Sequence, residues 1–168
     1  MTTTNRWLTV VVALLLLVAT LGAALVRRTH QDRADASVRE ERYGAVLAAA
    51  NAEATAFVNL RHDQAARGIQ AVAAGATGGF RRHYVRSARH LVATMQRQQS
   101  TLSGHIVSSG VVDLVPDRAT VIVATSGTVS NRRTGGREVP RDFRLRLTLL
   151  HEGGRWLTSD ISFVGDSA

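Results

Sequence analysis

The chain has 168 residues, which is room for one ordinary domain and an additional segment. All 21 of its basic residues are arginines, and with 13 acidic residues they give a net charge of +8. The arginines are scattered and aromatic residues make up 5% of the chain, so the composition provides no stacking platform for bases and argues against a nucleic-acid-binding protein. The absence of cysteine excludes a disulfide framework, a thiolate metal site and a cysteine nucleophile.

The first feature along the chain is an apolar segment, residues 7–26, which carries no charge. A helix of about 20 residues crosses the roughly 30 Å hydrocarbon core of a bilayer, so the segment predicts a transmembrane anchor behind a short tail, residues 1–6. Its start also resembles a signal peptide, but its length and the following Arg27 and Arg28 favour an uncleaved anchor. More arginines follow the segment than precede it, which taken literally places the domain in the cytoplasm. The acidic residues among those arginines leave the orientation open.

Three helices are predicted after the anchor. The membrane-proximal segment, residues 27–60, is rich in alanine and predicts a long helix from Arg33 to about Leu60, which joins a domain of residues 61–165. A short helix from about Asp63 to Ala74 ends at glycines, and a third helix begins near Phe80. The third helix is amphipathic, and its apolar face consists of Phe80, Tyr84, Ala88, Leu91, Val92 and Met95.

From Ser103 the periodicity changes to two, which predicts strands at residues 104–115, 119–130, 141–150 and 155–164. The third strand is the clearest, because Phe143, Leu145, Leu147 and Leu149 alternate with polar residues. Tight turns at residues 116–118 and 152–154 and a longer connection at residues 131–140 predict an antiparallel meander with one covered face. The predicted fold class is α+β, with about three helices packed on a curved four-stranded antiparallel sheet.

Three stretches carry a resemblance to a known family: ATGGFRRHY at 76–84, SSGVVDLVPDRATVIVATSGTVSN at 108–131 and GGRWLTSDISFV at 153–164. In this order, behind one apolar segment, they resemble the Mce-associated membrane proteins of actinobacteria. The residues of this structural signature are Gly78, Phe80, Tyr84, Trp156 and Asp160.

The resemblance implies a fold, a location and partners. The family resembles the nuclear transport factor 2-like cone, in which a curved sheet wraps helices around a pocket. Its members are regarded as accessory factors of Mce lipid-import systems, with the domain outside the cytoplasmic membrane. The resemblance therefore implies Mce and permease subunits or related Mce-associated proteins as partners, and leaves open whether the domain pairs with itself or with a relative.

Acid–base chemistry in such a cone needs a desolvated carboxylate or histidine with a partner in hydrogen-bond reach. The candidates in or near the predicted elements are Asp113, Asp160, His105, His151, His83 and His90. Asp160 faces solvent if Leu157, Ile161 and Phe163 face the helices, but it lines the cavity if Trp156 does, and Asp113 could enter an apolar face. Spacing indicates no catalytic pair, and no carboxylate supports His83 and His90 as metal ligands. We therefore expect no catalytic residue, no metal and no cofactor.

The loop NRRTGGREVPR, residues 131–141, is the most distinctive predicted surface feature. Its arginines, Arg132, Arg133, Arg137 and Arg141, fit an acidic partner or anionic head groups. The alternative is a solvated loop whose charges keep the protein soluble.

These features together predict a single-pass protein of the cytoplasmic membrane with an extracytoplasmic domain. The expected function is that of a non-enzymatic scaffold in an Mce-type import system for fatty acids or sterols. Two alternatives stay open: a scaffold of a type IV secretion-like machine, and a small-molecule-binding or isomerase-like domain that uses Asp160 or Asp113. A dry pocket that holds a carboxylate with a strongly raised pKa would favour the last of these.

Overall fold

The computed structural model describes residues 39–165. The chain divides into two compact units, Met1–Arg42 and Tyr43–Ala168, and the fold described below is that of the second. The predicted tail, the predicted anchor at residues 7–26 and the first part of the membrane-proximal segment lie outside the described residues. Among residues 39–165, no helix is both long enough and apolar enough to cross a bilayer.

The described chain contains three α-helices and five strands. Helix α1 covers residues 39–58, α2 is Ala65–Gly75 and α3 is Gly78–Gln98, with a 3-10 turn at His62–Gln64 before α2. The strands are β1 (Leu60–Arg61), β2 (Thr101–Leu114), β3 (Arg118–Ser130), β4 (Val139–Glu152) and β5 (Arg155–Phe163). The prediction of an α+β fold with three helices is confirmed.

The strands form one antiparallel sheet in the order β1-β2-β3-β4-β5. The prediction of four strands is wrong by one, because the two-residue strand β1 pairs with the start of β2 through Leu60–Leu102 and Arg61–Thr101. Two residues are too few to show a period of two in the sequence. The side chain of Asn59 also ties the end of α1 to this edge, since it accepts from the backbone N–H of Gly104 at 3.2 Å and donates to the Gly104 carbonyl at 2.8 Å.

Two β-bulges interrupt the pairing of β2 with β3, one between Ile106 and Ser108 and one between Val111 and Asp113. A bulge adds one residue to one strand and increases the local twist, which explains the strong curl of the sheet. The extra residues, Val107 and Val112, are both 63% exposed. At each bulge, the alternation of the side chains of β2 between the two faces of the sheet is therefore reversed.

The core lies between α1 and the inner face of the central strands. Four residues of α1 with helical spacing are buried against alternate residues of β3 and β4, as follows: Val46, Ala50, Ala54 and Val58 from α1, Ala119, Val121 and Val123 from β3, and Leu145, Leu147 and Leu149 from β4. The predicted inward face of β4 is thus confirmed. Helix α1 fills the curl of the sheet.

Helix α3 lies outside this core. It packs against α2, the 3-10 turn and β5, and none of its residues is buried. The rings of Phe80 and Tyr84 contact each other with centroids 5.7 Å apart, while Val85 is 53% exposed. The predicted apolar face of α3 is therefore only half covered.

Candidate functional site

A cleft of about 450 Å³ opens between α1, α2 and the turn that joins β4 to β5. Its walls consist of small residues, with three larger side chains, and the lining residues are Ala45, Ala49, Ala52, Glu53, Ala56, Ala71, Ala74, Gly75, Gly154, Arg155 and Trp156. The alanines of α1 follow one another at intervals of three and four, so they form one stripe along the helix. Because a methyl group extends little beyond the backbone, this stripe leaves open space beside α2.

Glu53 is the one acidic residue that lines the cleft. It is 3% exposed, and its Oε1 has no hydrogen-bond partner among the residues that the structure describes. Its Oε2 lies against Gly75, where a side chain would overlap it. Burial raises the pKa of the Glu53 carboxyl from 4.5 to about 7, because the charged form has lost its hydration. Burial also raises the pKa of Tyr84 on α3, and the charge of Glu53 adds to that rise.

The opposite wall of the cleft is held by contacts of Thr77, between α2 and α3, with β5 and with the end of β4. The backbone N–H of Thr77 donates to the Thr158 carbonyl at 2.8 Å, and the Thr77 hydroxyl donates to Oε2 of Glu152 at 2.6 Å. The Trp156 ring packs against His151, with ring centroids 4.9 Å apart. These contacts fix the β4–β5 turn beside the end of α2, so the cleft is preformed.

The glycines of the turn allow its tight geometry. Gly153 and Gly154 have φ values of +58° and +76°, which are the conformations of a type I′ hairpin. The turn predicted at residues 152–154 is thus confirmed, and it places Arg155 and Trp156 at the cleft.

The cleft can hold a small molecule and offer it one titratable carboxyl. A carboxyl with a pKa near 7 changes its charge near neutral pH, so Glu53 can accept a hydrogen bond when ionised and donate one when protonated. Within residues 39–165, Oε1 of Glu53 has no hydrogen-bond partner. General acid–base catalysis would require a second group or a substrate within hydrogen-bond reach of this carboxyl.

Asp160 lies on the exposed face of β5. Trp156 from one of the two conditions considered from the sequence and Ile161 from the other both pack against the core. This is possible because the β4–β5 pairing contains a bulge, in which Leu149 pairs with Thr158 and Leu147 pairs with Ile161. The extra residue reverses the alternation between Trp156 and Ile161 and leaves Asp160 in solvent.

Asp113 is also exposed, for the same physical reason. The bulge at Val112 separates it from Val111, which packs against the core, so the expectation that Asp113 could enter an apolar face is wrong. His83, His90 and His105 are exposed as well. No three metal-ligating side chains come together anywhere in the described part of the chain.

The arginines of the predicted loop are placed on the hairpin formed by β3 and β4. Asn131 caps a 3-10 turn at Arg132–Thr134, because its side chain accepts from the backbone N–H groups of Arg133 and Thr134. We use the name arginine hairpin for the six exposed arginines between β3 and the middle of β4, which are Arg132, Arg133, Arg137, Arg141, Arg144 and Arg146. None of the six forms an ion pair with an acidic residue of the described chain.

Sequence reasoning missed Glu53, although a signal was present. Val46, Ala50, Glu53 and Phe57 follow one another at intervals of four, three and four, which is the spacing of one helix face. An acidic residue in the middle of that apolar stripe is unusual, because a buried carboxylate loses its hydration. The acidic candidates predicted from the sequence lay on the strands, and none lay on α1.

The fold is shared with solved structures from other bacteria. A ketosteroid isomerase-like protein from Erwinia carotovora atroseptica is 24% identical and superimposes with a TM-score of 0.54, over 74% of this chain and 98% of that one. An IcmL-like type IV secretion system protein from Legionella pneumophila is 12% identical, with a TM-score of 0.56 over 72% of this chain and 91% of that one. These likenesses show the nuclear transport factor 2-like fold, and at such identities they show the fold alone.

The sequence also matches one curated relative and one family profile. The protein Rv1363c from Mycobacterium tuberculosis, described as uncharacterized, is 26% identical over 130 residues, which are 77% of this chain and 49% of that protein. The chain thus spans about half the length of this curated relative. The profile of the family described as "Uncharacterized protein Rv1363c/MT1408-like" matches residues 6–165. The chain belongs to the Rv1363c/MT1408-like family and folds as a nuclear transport factor 2-like domain.

Proposed function

We propose that this protein is a non-enzymatic accessory component of a membrane transport machine and that it works by binding another protein through the arginine hairpin. The observation that carries the proposal is that six exposed arginines on one hairpin form no ion pair with any acidic residue among residues 39–165. Guanidinium groups pair with carboxylates in a bidentate manner, so such a cluster favours an acidic protein surface. Charge complementarity of this kind sets specificity and association rate.

The machine we propose is an Mce-type lipid importer in the cytoplasmic membrane. Support comes from the sequence resemblance to Mce-associated proteins, carried by the signature of Gly78, Phe80, Tyr84, Trp156 and Asp160. The apolar segment at residues 7–26 supports a membrane anchor. In this proposal the domain lies outside the cytoplasm and contacts Mce or permease subunits.

A type IV secretion-like machine is the second candidate. It is favoured by the fold shared with the IcmL-like secretion protein from Legionella pneumophila. One fold serves many functions, however, so the shared fold weighs less than the sequence signature.

The proposal that the protein is not an enzyme is supported by the state of its carboxylates. Asp113 and Asp160, the carboxylates named for an isomerase-like site, are exposed. Glu53 has the raised pKa that would favour such a site, but among residues 39–165 its Oε1 has no second protein group with which to share a proton. A general acid or base acts within hydrogen-bond reach of a second group or of the substrate. We place the function in surface recognition.

The test is affinity purification of the tagged full-length protein from gently solubilised native membranes, with crosslinking and mass spectrometry. We expect crosslinks from the arginine hairpin to Mce or permease subunits. Recovery of secretion-channel subunits would replace this proposal with the second candidate. Recovery of neither from intact, abundant protein would refute a scaffold function.

A pair of matched variants separates the hairpin from the general charge of the protein. Arg132, Arg133 and Arg137 are changed together to Glu, and in the control Arg82, Arg86 and Arg89 of α3, which are also exposed, are changed in the same way. Both variants alter the net charge equally. Loss of the partner in the first variant and its retention in the second is the expected result, and equal loss in both would contradict a specific hairpin surface.

A further inference from the structure

We propose that the cleft between α1, α2 and the β4–β5 turn binds a small uncharged molecule, an apolar alcohol or phenol, whose hydroxyl group donates a hydrogen bond to Glu53. The apolar body of this ligand packs between the alanines of α1 and the ring of Trp156. This site is separate from the arginine hairpin, and it does not depend on the scaffold function.

Glu53 offers an unused hydrogen-bond acceptor. The residue is 3% exposed, and its Oε1 is buried without a hydrogen-bond partner within the described chain. A buried polar group without a partner is costly, so native proteins rarely keep one without a function or a bound molecule. A donor from a ligand in the cleft would remove this cost.

The size and lining of the cleft also suit a small apolar ligand. The cleft has a volume of about 450 Å³, which lies within the range of small-molecule sites. Its lining is mainly apolar, with alanine methyl groups on α1 and α2 and an indole ring on β5. A flat or chain-like apolar body fits such walls, because aromatic and aliphatic groups pack on an indole face.

The charges that line the cleft favour a neutral ligand. Arg155 and Glu53 line the same cleft with opposite charges, so an ion that is attracted by one of them is repelled by the other. A neutral ligand meets no such repulsion. A hydroxyl donor suits it best, because the site lacks a donor for Oε1.

The titratable groups around Glu53 come from two sides. Helix α3 contributes Tyr84, and the β4–β5 hairpin contributes Arg155, His151, which packs on Trp156, and Glu152, which accepts from Thr77. The residues that α2 contributes to the cleft, Ala71, Ala74 and Gly75, do not titrate. The ionised carboxyl is the stronger acceptor, so binding of a hydroxyl donor tightens as pH rises from about 6 to about 8.

The probe for this proposal is 2-naphthol, and 2-methoxynaphthalene serves as its matched control because it has a similar ring but no hydroxyl hydrogen. The full chain with Trp7→Phe is placed in lipid nanodiscs, so that Trp156 is the only remaining tryptophan. Binding is measured as the change in Trp156 fluorescence, corrected with empty nanodiscs. We expect saturable binding of 2-naphthol. The methoxy compound should bind about fivefold more weakly or less, because it lacks the hydroxyl hydrogen and one hydrogen bond is worth about 1 kcal/mol.

Two substitutions on one helix locate the probe. Ala52 lines the cleft and Ala48 does not, and both are exposed, so Leu at either position is compatible with folding. Ala52→Leu should weaken binding of 2-naphthol about tenfold, because it fills the space that the ring would occupy. Ala48→Leu should leave the affinity unchanged.

The pH dependence tests the role assigned to Glu53. In Glu53→Gln the change of affinity between about pH 6 and pH 8 should disappear, because glutamine does not ionise. In His151→Gln the change of affinity with pH should remain, which would show that the histidine beside Trp156 does not cause it. Absence of saturable 2-naphthol binding, equal effects of the two Leu variants, or an unchanged pH dependence in Glu53→Gln would each overturn the proposal.

Discussion

Glu53 occupies a position in α1 that helix geometry assigns to the core, between Ala50 and Ala54, which are fully buried. In the folded protein its pKa is raised to about 7, while its ordinary value is 4.5. Both the folded and the unfolded chain hold the proton at low pH. As pH rises, the unfolded chain releases its proton first, so stability falls between these two values.

We therefore predict that folding stability decreases as pH rises from about 4.5 to about 7 and that Glu53→Gln removes this part of the decrease. The shift corresponds to a cost of up to about 3 kcal/mol above neutral pH, since one pKa unit is about 1.4 kcal/mol. The measurement is the free energy of unfolding by urea at several pH values, compared between the parent protein and the variant. The control is Glu41→Gln, at an exposed position of the same helix, and identical pH profiles for all three proteins would contradict the prediction.

At this scale the sequence predicted part of the site. Trp156 was singled out and does line the cleft, but Glu53 was overlooked. Asp160 faces solvent, as in one of its two alternatives, but Trp156 packs against the core as well, because a one-residue bulge reverses the alternation on which both alternatives rested. Nothing in the sequence TSDIS marks which residue becomes the bulge.

Among the elements, the contact between β2 and β3 depends on a pair of glycines. Gly127 pairs with Gly104, and a Cβ atom at residue 127 would overlap the Ser103 carbonyl and lie 2.6 Å from the Cα of Gly104. We predict that Gly127→Ala destabilises the protein by about 1–3 kcal/mol, as overpacking does. The measurement is the midpoint of urea unfolding.

The matched control for this substitution is Gly110→Ala, on the partner strand. A Cβ atom at residue 110 would have nothing within 4 Å, so its replacement should change stability by less than about 0.5 kcal/mol. If both variants unfolded at the midpoint of the parent, the close approach of the two strands at Gly127 would be wrong.

The larger elements were predictable because each one contains several repeats of its hydrophobic period. Strand β4 shows the alternation of Leu145, Leu147 and Leu149 directly, and these residues are fully buried. Strand β1 was not predicted, because two residues are too few to show a period. Helix α3 has a clear apolar face, yet none of its residues is buried, since periodicity indicates a face but not what covers it.

On the scale of the whole domain, one core joins α1 to β3 and β4. Leu147 lies at its centre, fully buried between Val121 on β3 and Ile161 on β5. We predict that Leu147→Ala lowers the free energy of unfolding by about 2–5 kcal/mol, as the loss of a buried leucine does. Arg146→Ala, its exposed neighbour on β4, should change it by less than about 0.5 kcal/mol.

The check is urea unfolding followed by circular dichroism and by Trp156 fluorescence in the Trp7→Phe background. Because Trp156 packs against the same core, both signals should shift together in Leu147→Ala. Separate transitions would show that the helices and the sheet do not share one cooperative core.

The two proposed surfaces lie near opposite ends of β4. Arg132, Arg133 and Arg137 of the arginine hairpin lie before Val139, whereas the cleft adjoins the turn after Glu152, so roughly 40 Å of strand separates these three arginines from the turn, given about 3.3 Å per residue. A protein partner at one end leaves the cleft at the other end accessible within this domain. Binding at the two surfaces can therefore be measured independently.

The contact of Glu53 with Gly75 also constrains how the sequence can drift. A Cβ atom at residue 75 would overlap Oε2 of Glu53, although the backbone there would accept alanine. Because Oε2 is the far end of a flexible side chain, alanine at position 75 would displace the carboxyl and leave the backbone in place. Glycine at 75 therefore keeps the acid where it is, and the two positions should vary together in descendants.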